Sequence, residues 1–578
     1  MDDLLILYAT ETGTAQYVAD AIARQCHRVY MPCRVQSTDA YSLSDLVSEQ
    51  LVVFVVSTTG SGVEPRTMNT MWKALLRSDL PPDLFDDLSF AVFGLGDSAY
   101  EKFCWPAKKL ARRLHVLGAQ EFCVRGEGDD QDPMGLEGAL GPWLETLTHA
   151  LLQLQPLQPG QSIVPASNIP PSRAVFHQLG TSSSPIHPPR TSATLTSNTR
   201  ITAADWNQDV RHLEFRMDED IEYTPGDVAV VQPIAQSDDV ETFLNRMGWR
   251  EEADIVFRID RVLKELSFPE NLPETITYRE LFSRYLDFNA VPRRSFFAYL
   301  QHFTSDELER EKLQDFLSRE GADELYEYCF RVRRTIAEVL AEFRHVQIPR
   351  DYIFDVFPPL RARHFSIASS VKVHPRQVHL CVAVVKYRTK LKVPRQGICS
   401  TFLARLKPGD RVELTVQPGT MKLPTDGRPV ICIGPGTGVA PMRAIIQERV
   451  HRGLRDNTLY FGCRSATKDQ HYAADWAEYA AQGALVYRTA FSRDGPEGVA
   501  RVYVQDLIRE DAERIWGLLD PKCGATVVIS GSSNKMPAAV KQALAAAAEK
   551  YGGMTMEEAQ EFIAGMEASG RLIEECWS

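Results

Sequence analysis

Short apolar runs that stop at glycine- and hydroxyl-rich turns constrain this chain more than any other feature. LLILYAT (4–10), LVVFVVS (51–57) and FAVFGLG (90–96) are too short for buried helices. They also lack the alternation of a strand with one wet face, so they suit strands covered on both sides, as in parallel sheets. A helical pattern, AQYVADAIARQC, follows the first run, and strands alternating with helices indicate a doubly wound sheet. The pattern returns from residue 428 with PVICIG, TLYFGC, GALVYRTAF and TVVISG. The expected fold is therefore α/β at both ends, over 1–150 and 427–578, with no internal repeat relating the two.

The middle differs. Residues 151–192 are free of Asp and Glu and rich in Pro, Ser and Gln, which predicts a flexible linker. Residues 193–426 read as a β-barrel whose turns include TPGD and KPGD. A helical insertion interrupts it at about 238–345, through VETFLNRMGW, TYRELFSRYL and RRTIAEVLAEF.

Composition narrows the function classes. An apolar fraction of 44% and a charged fraction of 24% are those of an ordinary globular protein. A net charge of −12 argues against a nucleic-acid partner, which needs a basic footprint. The 11 cysteines contain no Cys-x-x-Cys pair, so zinc spacing is absent and no metal site is predicted. The start, MDDLLILYATETG, carries acids where a secretory signal needs positive charge. No run is long enough to span a bilayer, so no membrane anchor is expected.

Thr10-Glu11-Thr12-Gly13-Thr14-Ala15 joins the first run to its helix. Hydroxyls and backbone N–H groups at the positive end of a helix dipole make an anion site. The Lys of a nucleotide-triphosphate loop is missing, so a monophosphate fits better than ATP or GTP. Alone, such a loop is more often a plain N-cap with a glycine turn. Ser57-Thr58-Thr59-Gly60 and Leu95-Gly96-Asp97-Ser98-Ala99-Tyr100 follow the next two runs. All three loops then lie at carboxyl ends of buried strands, where doubly wound sheets bind ligands. With an aromatic among them, a mononucleotide bearing a flat ring is the better reading.

These loops, continued through Glu101-Lys102-Phe103-Cys104, resemble the flavodoxin-like FMN domain of the diflavin reductases. The resemblance implies that the first loop holds the FMN phosphate and the others flank the isoalloxazine, with Tyr100 stacked on it. Asp130 adds a further contact. Thr59 stands where many relatives place a second stacking aromatic, which implies weaker FMN retention.

Arg363-His364-Phe365-Ser366 resembles the same family's FAD motif. Arg can pair a pyrophosphate bidentately, Phe can stack on a ring, and a Ser hydroxyl can reach flavin N5. Gly397-Ile398-Cys399-Ser400 opens a helix with backbone donors for that pyrophosphate, and Arg333 matches a family FAD contact. The loop Gly434–Pro441, with Thr437, is not the dehydrogenase Gly-x-Gly-x-x-Gly fingerprint. It looks like the nicotinamide-side loop of the ferredoxin-reductase family. Ser492-Arg493 and Arg501-Val502-Tyr503-Val504-Gln505 resemble that family's clamp for a 2′-phosphate, so NADPH is expected over NADH. Lys535 lies near the implied adenine loop, and Ala539 replaces an Asp frequent in the family. Ser366, Cys463 and Glu575 would form a hydride-transfer set, with Trp577 covering the FAD ring.

The resemblance implies an oxidoreductase that takes hydride from NADPH to FAD and passes electrons singly through FMN to an acceptor. Within the family, the lack of an anchor, Thr59 and the short start favour the member of cytosolic iron–sulfur protein assembly. That member is a cytoplasmic monomer, with a mitochondrial location left open, serving an anamorsin-type iron–sulfur partner. A soluble reductase for haem monooxygenases or sulfite reductase, or a redox-silent interaction scaffold, is the alternative. The acidic loop Glu127, Asp129, Asp130 and Asp132 is a candidate docking surface, and 151–192 a tether.

Overall fold

β1 (Leu4–Ala9), α1 (Thr14–Arg28), β2 (Cys33–Ser37), β3 (Leu51–Ser57), α2 (Asn69–Leu75), β4 (Ser89–Gly96), α3 (Trp105–Val116), β5 (Gln120–Asp129) and α4 (Glu137–Leu154) alternate along the first part of the chain. The computed structural model describes residues 3–577 apart from 61, 101, 181–190, 391, 424–425, 496–500 and 534. The chain divides into two compact units. The first comprises Met1–Pro188, Ala235–Arg361 and Thr389–Val393; the second holds the remainder.

In the first unit the five strands run parallel in the order β2-β1-β3-β4-β5. The apolar runs are covered on both faces. Val53, Val55, Ala91 and Phe93 pack with α1 and α4, while Val52, Phe54, Phe90 and Val92 pack with α2 and α3. α1 turns Ala15, Val18, Ala19, Ile22, Ala23 and Cys26 inward, the spacing of a helix lying on a sheet. The order places the point where the winding reverses between β1 and β3. The crevice outside their carboxyl ends is the ligand site of such sheets.

A second core in this unit is helical and aromatic. Phe243 stacks on Phe288 at 4.6 Å, and Phe282 and Phe357 meet edge to face at 5.0 Å. A three-stranded sheet, 275–276, 256–261 and 174–180, packs with it. The flavodoxin-like layer joins this core through a buried ion cluster. Arg173 donates to Asp20 at 3.1 Å and Asp355 at 2.7 Å. Asp355, fully buried, also pairs with Arg24, and Ser267 donates to Asp20 at 2.6 Å.

The expected linker at 151–192 is corrected by these contacts. α4 runs to Leu154, Val164 exchanges hydrogen bonds with Arg28 at 2.9 and 2.8 Å, and Ala174–Gly180 pairs with Val256–Arg261. The stretch lacks acids, but Ala174 and Phe176 fill the helical core and Arg173 supplies the cation of the cluster. Residues 155–180 are thus pinned to the first unit, and the tether expectation falls back on 181–190, outside the described residues. The helical insertion also runs further than expected, its last helix ending at Val356.

In the second unit six antiparallel strands form one sheet in the order 363–366, 228–231, 411–417, 192–200, 210–217, 377–383. A bridge between Ile367 and Leu380 brings its two ends together. A parallel five-stranded sheet follows, ordered Val486–Phe491, Asn457–Cys463, Val430–Ile433, Thr526–Ser532, Leu572–Trp577. Numbered along the chain, that is 3-2-1-4-5, with its reversal between 430–433 and 526–532. Among the described residues no helix is long and apolar enough to cross a membrane.

Removing the centre of the ion cluster leaves Arg173 and Arg24 with an uncompensated buried charge. Asp355→Ala should destabilise the first unit by about 3–5 kcal/mol, read as a lower urea midpoint in chemical denaturation. An unchanged midpoint would deny the cluster its role.

Candidate functional site

β1 ends in a loop folded by its own hydroxyls. Thr10 Oγ1 accepts from the Gly13 N–H at 2.8 Å, and Thr67 Oγ1 accepts from the Thr10 N–H at 2.9 Å. Glu11 is taken by Arg66, through its backbone N–H at 3.1 Å and its guanidinium at 3.1 Å. Gly13, at φ 92°, turns the chain into α1, which opens with no side-chain cap and no acid in its first turn. The first amides of α1 are left as donors for an anion. Thr12, Thr14 and Ala15 sit on that turn, with Ala15 buried beneath it.

The loop after β3 lies across the reversal point. Ser57 donates to the Ala9 carbonyl at 3.1 Å, tying β3 to β1. Thr58 donates its N–H to Leu95 at 2.9 Å, and Thr59 bridges to Val63 around Gly60, which has φ 51°. The Thr58 and Thr59 hydroxyls are buried with no hydrogen-bond partner among the described residues. Buried orphan hydroxyls at this edge fit a ligand with polar ring atoms.

The loop after β4 is held by acids. Asp97 accepts from the Ala99 N–H at 2.8 Å and the Gln131 amide at 2.9 Å. Asp129 accepts from the N–H groups of Ser98 at 2.9 Å and Gln131 at 3.0 Å, and Asp130 donates its N–H to Gly96 at 2.9 Å. Tyr100 and Phe103 are half-buried, while Ser98, Ala99, Lys102 and Asp130 are exposed. Cys104 faces inward instead, buried and left-handed at φ 50°, and burial pushes its thiol up to about 12. Glu101 lies outside the described residues. Glu127 pairs with Lys108 and Arg125, and Asp132 accepts from the Met134 N–H. The expected acidic docking loop thus spends most of its charge on its own fold.

In the second unit, Arg363-His364-Phe365-Ser366 forms an end strand paired with Val228–Val231. Arg363 and His364 are exposed, Ser366 is half-buried, and Phe365 leans on the core beneath the sheet. Gly397 begins the helix Ile398–Arg405, again without a side-chain cap. The start of that helix presents its backbone donors. Cys399 is packed into the core, and the Ser400 hydroxyl bonds the Val385 N–H at 3.1 Å and the Gly397 carbonyl at 3.2 Å. Arg333 belongs to the first unit, exposed on a left-handed turn at φ 54°.

The glycine loop after Val430–Ile433 is shaped by close approach. A Cβ on Gly438 would lie 2.1 Å from the Ser530 carbonyl oxygen, and one on Gly434 2.7 Å from the Gly438 oxygen. Thr437 sits half-buried in this turn, and the helix Val439–His451 follows. Ser492 returns to the neighbouring strand by donating to the Cys463 carbonyl, and the Arg493 N–H bonds Arg464 at 2.8 Å. Burial and Asp469 push the Cys463 thiol well above its ordinary range, so it stays protonated. Arg501, Val502 and Tyr503 are exposed, Gln505 is half-buried, and Val504 lies in the core rather than at the surface. Glu575 pairs in register with Ser530 on the last strand. Cys463 and Glu575 therefore share one carboxyl edge. The side chain of Trp577 is outside the described residues, its backbone pairing with Ser532.

What the sequence reading missed is the machinery between these pieces. Arg443, only 8% exposed, donates to the Ala368 carbonyl at 2.8 Å, pairs with Asp475 at 3.0 Å and lies 4.8 Å above the Tyr472 ring. Ser370 adds bonds to Gln447 and Glu448. The strand of Ser366 is thus bolted to the helix that opens at the glycine loop. A histidine cluster packs beside the bolt. His212 shares a 3.0 Å hydrogen bond with Tyr472, and His379 lies 4.3 Å from His374, ring to ring. A lone Arg inside a helix or a His on a strand gives no sign in sequence of such a partner.

Burial, with His374 and Arg443 adding positive charge, pushes His379 down to about 2; burial and the same neighbours take His212 to about 4. Both imidazoles are neutral when folded, whereas the unfolded chain takes up protons below about 6.5. Their contribution to stability is whole above that pH and drains as pH falls toward 4, by up to about 1.4 kcal/mol per pH unit for each imidazole. His379→Gln should therefore lose less in urea midpoint between pH 7.5 and 5.5 than the parent chain; equal losses would refute the assignment.

Comparison with known proteins covers the whole chain. Residues 6–143 match the Flavodoxin family model, 185–402 the FAD binding domain, and 432–542 the Oxidoreductase NAD-binding domain. A curated protein of Danio rerio, NADPH-dependent diflavin oxidoreductase 1, is 41% identical over 598 residues, covering 100% of this chain and 99% of its own. Proteins of the same name from Xenopus laevis and Schizosaccharomyces pombe are 40% and 38% identical, covering 100% and 99% of this chain and 99% of their own length.

Proposed function

The chain belongs to the NADPH-dependent diflavin oxidoreductases, and we propose that its electrons go to an anamorsin-type iron–sulfur partner in cytosolic iron–sulfur protein assembly. When bound, FAD would supply the two-electron acceptor for the hydride of NADPH, and FMN the one-electron outlet. FMN, FAD and NADPH are its cofactors, and the chain's residues divide the work of holding them.

The observation that carries the electron-exit reading is the carboxyl edge of the first sheet. Ser98, Ala99, Lys102 and Asp130 are exposed around the Thr58–Thr59 hydroxyls and Tyr100. A flavin ring held there would be bordered by side chains open to water and so reachable by another protein. Ser98 and Ala99 leave their part of that rim low for a docking partner, and Lys102 and Asp130 set opposite charges beside it. Thr59 in place of a bulky aromatic supports the same subfamily reading.

For hydride transfer, Ser366 would donate its hydroxyl to the accepting nitrogen of the flavin, and the protonated Cys463 thiol would line the nicotinamide. Glu575, on the same edge as Cys463, would hold the proton balance. Arg493 and Arg501 would clamp the 2′-phosphate, and the uncapped helix at Gly397 would take the pyrophosphate. The chain would work in the cytoplasm as a monomer.

Two measurements test the reading. Losing Arg493 and Arg501 together removes charge-assisted bonds of about 1.5–3 kcal/mol each. The KM for NADPH should rise by roughly one to several decades while that for NADH stays within about twofold; equal rises would place the 2′-phosphate elsewhere. The acceptor is tested by NADPH-driven reduction of a purified anamorsin-type protein, with and without Asp132→Lys on the same exposed loop, across an ionic-strength series. Reduction that weakens with salt and with the charge reversal is expected. Failure to reduce that protein, beside good reduction of cytochrome c, would move the acceptor to a haem monooxygenase or sulfite reductase.

A further inference from the structure

The turn that opens α1 has two cations beside it that the flavodoxin-like layer does not supply. Arg361 closes the helical segment of the first unit, and its guanidinium lies across Gly13. A Cβ there would sit 2.0 Å from Arg361 Cζ. The same guanidinium donates to Gln16 Oε1. Arg293, just before the helix Arg294–Phe303, donates to Thr14 Oγ1 at 3.3 Å and lies 4.3 Å above the Tyr17 ring. Gly13, Thr14, Gln16 and Tyr17 are consecutive or nearly so on one helical turn, with no acid in it.

This arrangement is electrostatically odd for a protein surface. Two guanidiniums converge on the positive end of a helix dipole, where cations are disfavoured. Arg293 makes no salt bridge among the described residues. The acids that feel its charge do not neutralise it by contact. Asp130 lies on the sheet edge, and half-buried Glu137 already accepts from the Tyr17 hydroxyl at 2.7 Å, with desolvation raising its carboxyl. Guanidiniums, uncapped amides and the Thr14 hydroxyl together are the donor set for a phosphate monoester, which takes forked, charge-assisted hydrogen bonds.

We propose that Arg293 and Arg361 are ligands of the flavin nucleotide's phosphate, delivered by the helical segment to a loop of the flavodoxin-like layer. The proposal rests on the reading of that loop as the FMN site and adds residues from outside the layer to it. It has a second consequence. If the phosphate is gripped from both sides, it ties the flavodoxin-like layer to the helical segment alongside the Arg173 cluster. By reciprocity of linkage, any separation of the two weakens FMN binding, and FMN resists that separation where riboflavin does not. Retention of FMN and freedom of the layer to move are then one equilibrium, tuned by salt.

The test uses the full chain depleted of FMN, titrated with FMN and with riboflavin by flavin fluorescence, for the parent, Arg361→Gln, Arg293→Gln and the double variant. Expected is a rise in the FMN Kd of about tenfold to a hundredfold per arginine, the riboflavin Kd staying within about twofold. Arg361→Lys should recover part of the loss, since it keeps charge without the fork. An unchanged FMN Kd, or an equal loss for both flavins through a damaged fold, overturns the proposal. A parent chain that binds FMN no better than riboflavin, or whose FMN Kd is untouched by Thr14→Val, would instead overturn the reading of the loop. A second readout is limited proteolysis between the layer and the helical segment. FMN should protect the parent more than riboflavin does, and the double variant should abolish that difference.

Discussion

Arg443 holds its charge in a nearly dry place, and the second unit is organised around it. A buried cation is tolerated when its donors are all matched, and here the matching partners come from both sides of a junction. The Ala368 carbonyl comes from the turn after the Ser366 strand, and Asp475 and the Tyr472 ring from the parallel-sheet side. Moving one side against the other would leave the Ala368 carbonyl without its donor and one guanidinium N–H unmatched, so the bond works as a locating pin more than as a source of net stability. Ser370, bonded to Gln447 and Glu448, adds a second pin to the same helix. The hydroxyl assigned to the flavin and the loop assigned to the nicotinamide coenzyme are thereby fixed to one rigid helix. Hydride transfer depends on placement of this kind.

The first unit solves a similar problem with the Asp20–Arg173–Asp355–Arg24 cluster. Two cores of different character, one a layered sheet and one a nest of aromatic rings, meet across charges that are individually costly and jointly satisfied. Breaking that contact requires exposing all four groups to water together. At the rim of the β4 loop, Ser98, Ala99, Lys102 and Asp130 stay open to water. The chemistry is therefore held at one side of the layer and left open at the other.

Much of this was legible from residue order. Parallel strands had to be apolar on both faces, and LLILYAT, LVVFVVS and FAVFGLG announced that directly. Loops at their carboxyl ends had to combine glycine with hydroxyls, and TETGTA, STTG and GLGDSAY did. The reading failed where composition stood in for contacts. Residues 155–180 look like a linker because they lack acids, yet Arg173 finds acids distant in sequence and Phe176 finds a core. Cys399, Val504 and Cys104 sit inside motifs read as ligand-binding, but a motif has two faces, and theirs turn inward. The acids of the GEGDDQDP loop looked free because Lys108 is far from Glu127 in sequence; the sheet brings them together.

By itself the sequence determined that the short apolar runs are strands of parallel sheets and where glycine- and hydroxyl-rich loops follow them along the chain. Those are local properties: the period of the apolar residues, the conformational licence of glycine, and the spacing of hydroxyls after a strand. The tertiary structure alone decided which charges meet. Arg293 and Arg361 at the head of α1, Arg443 under Ala368, and Asp355 between two arginines are each one polar residue in an unremarkable stretch. Their roles come from partners tens to hundreds of residues away. A charge's energy depends on its distance to other charges and to water, and that distance does not exist until the chain has folded.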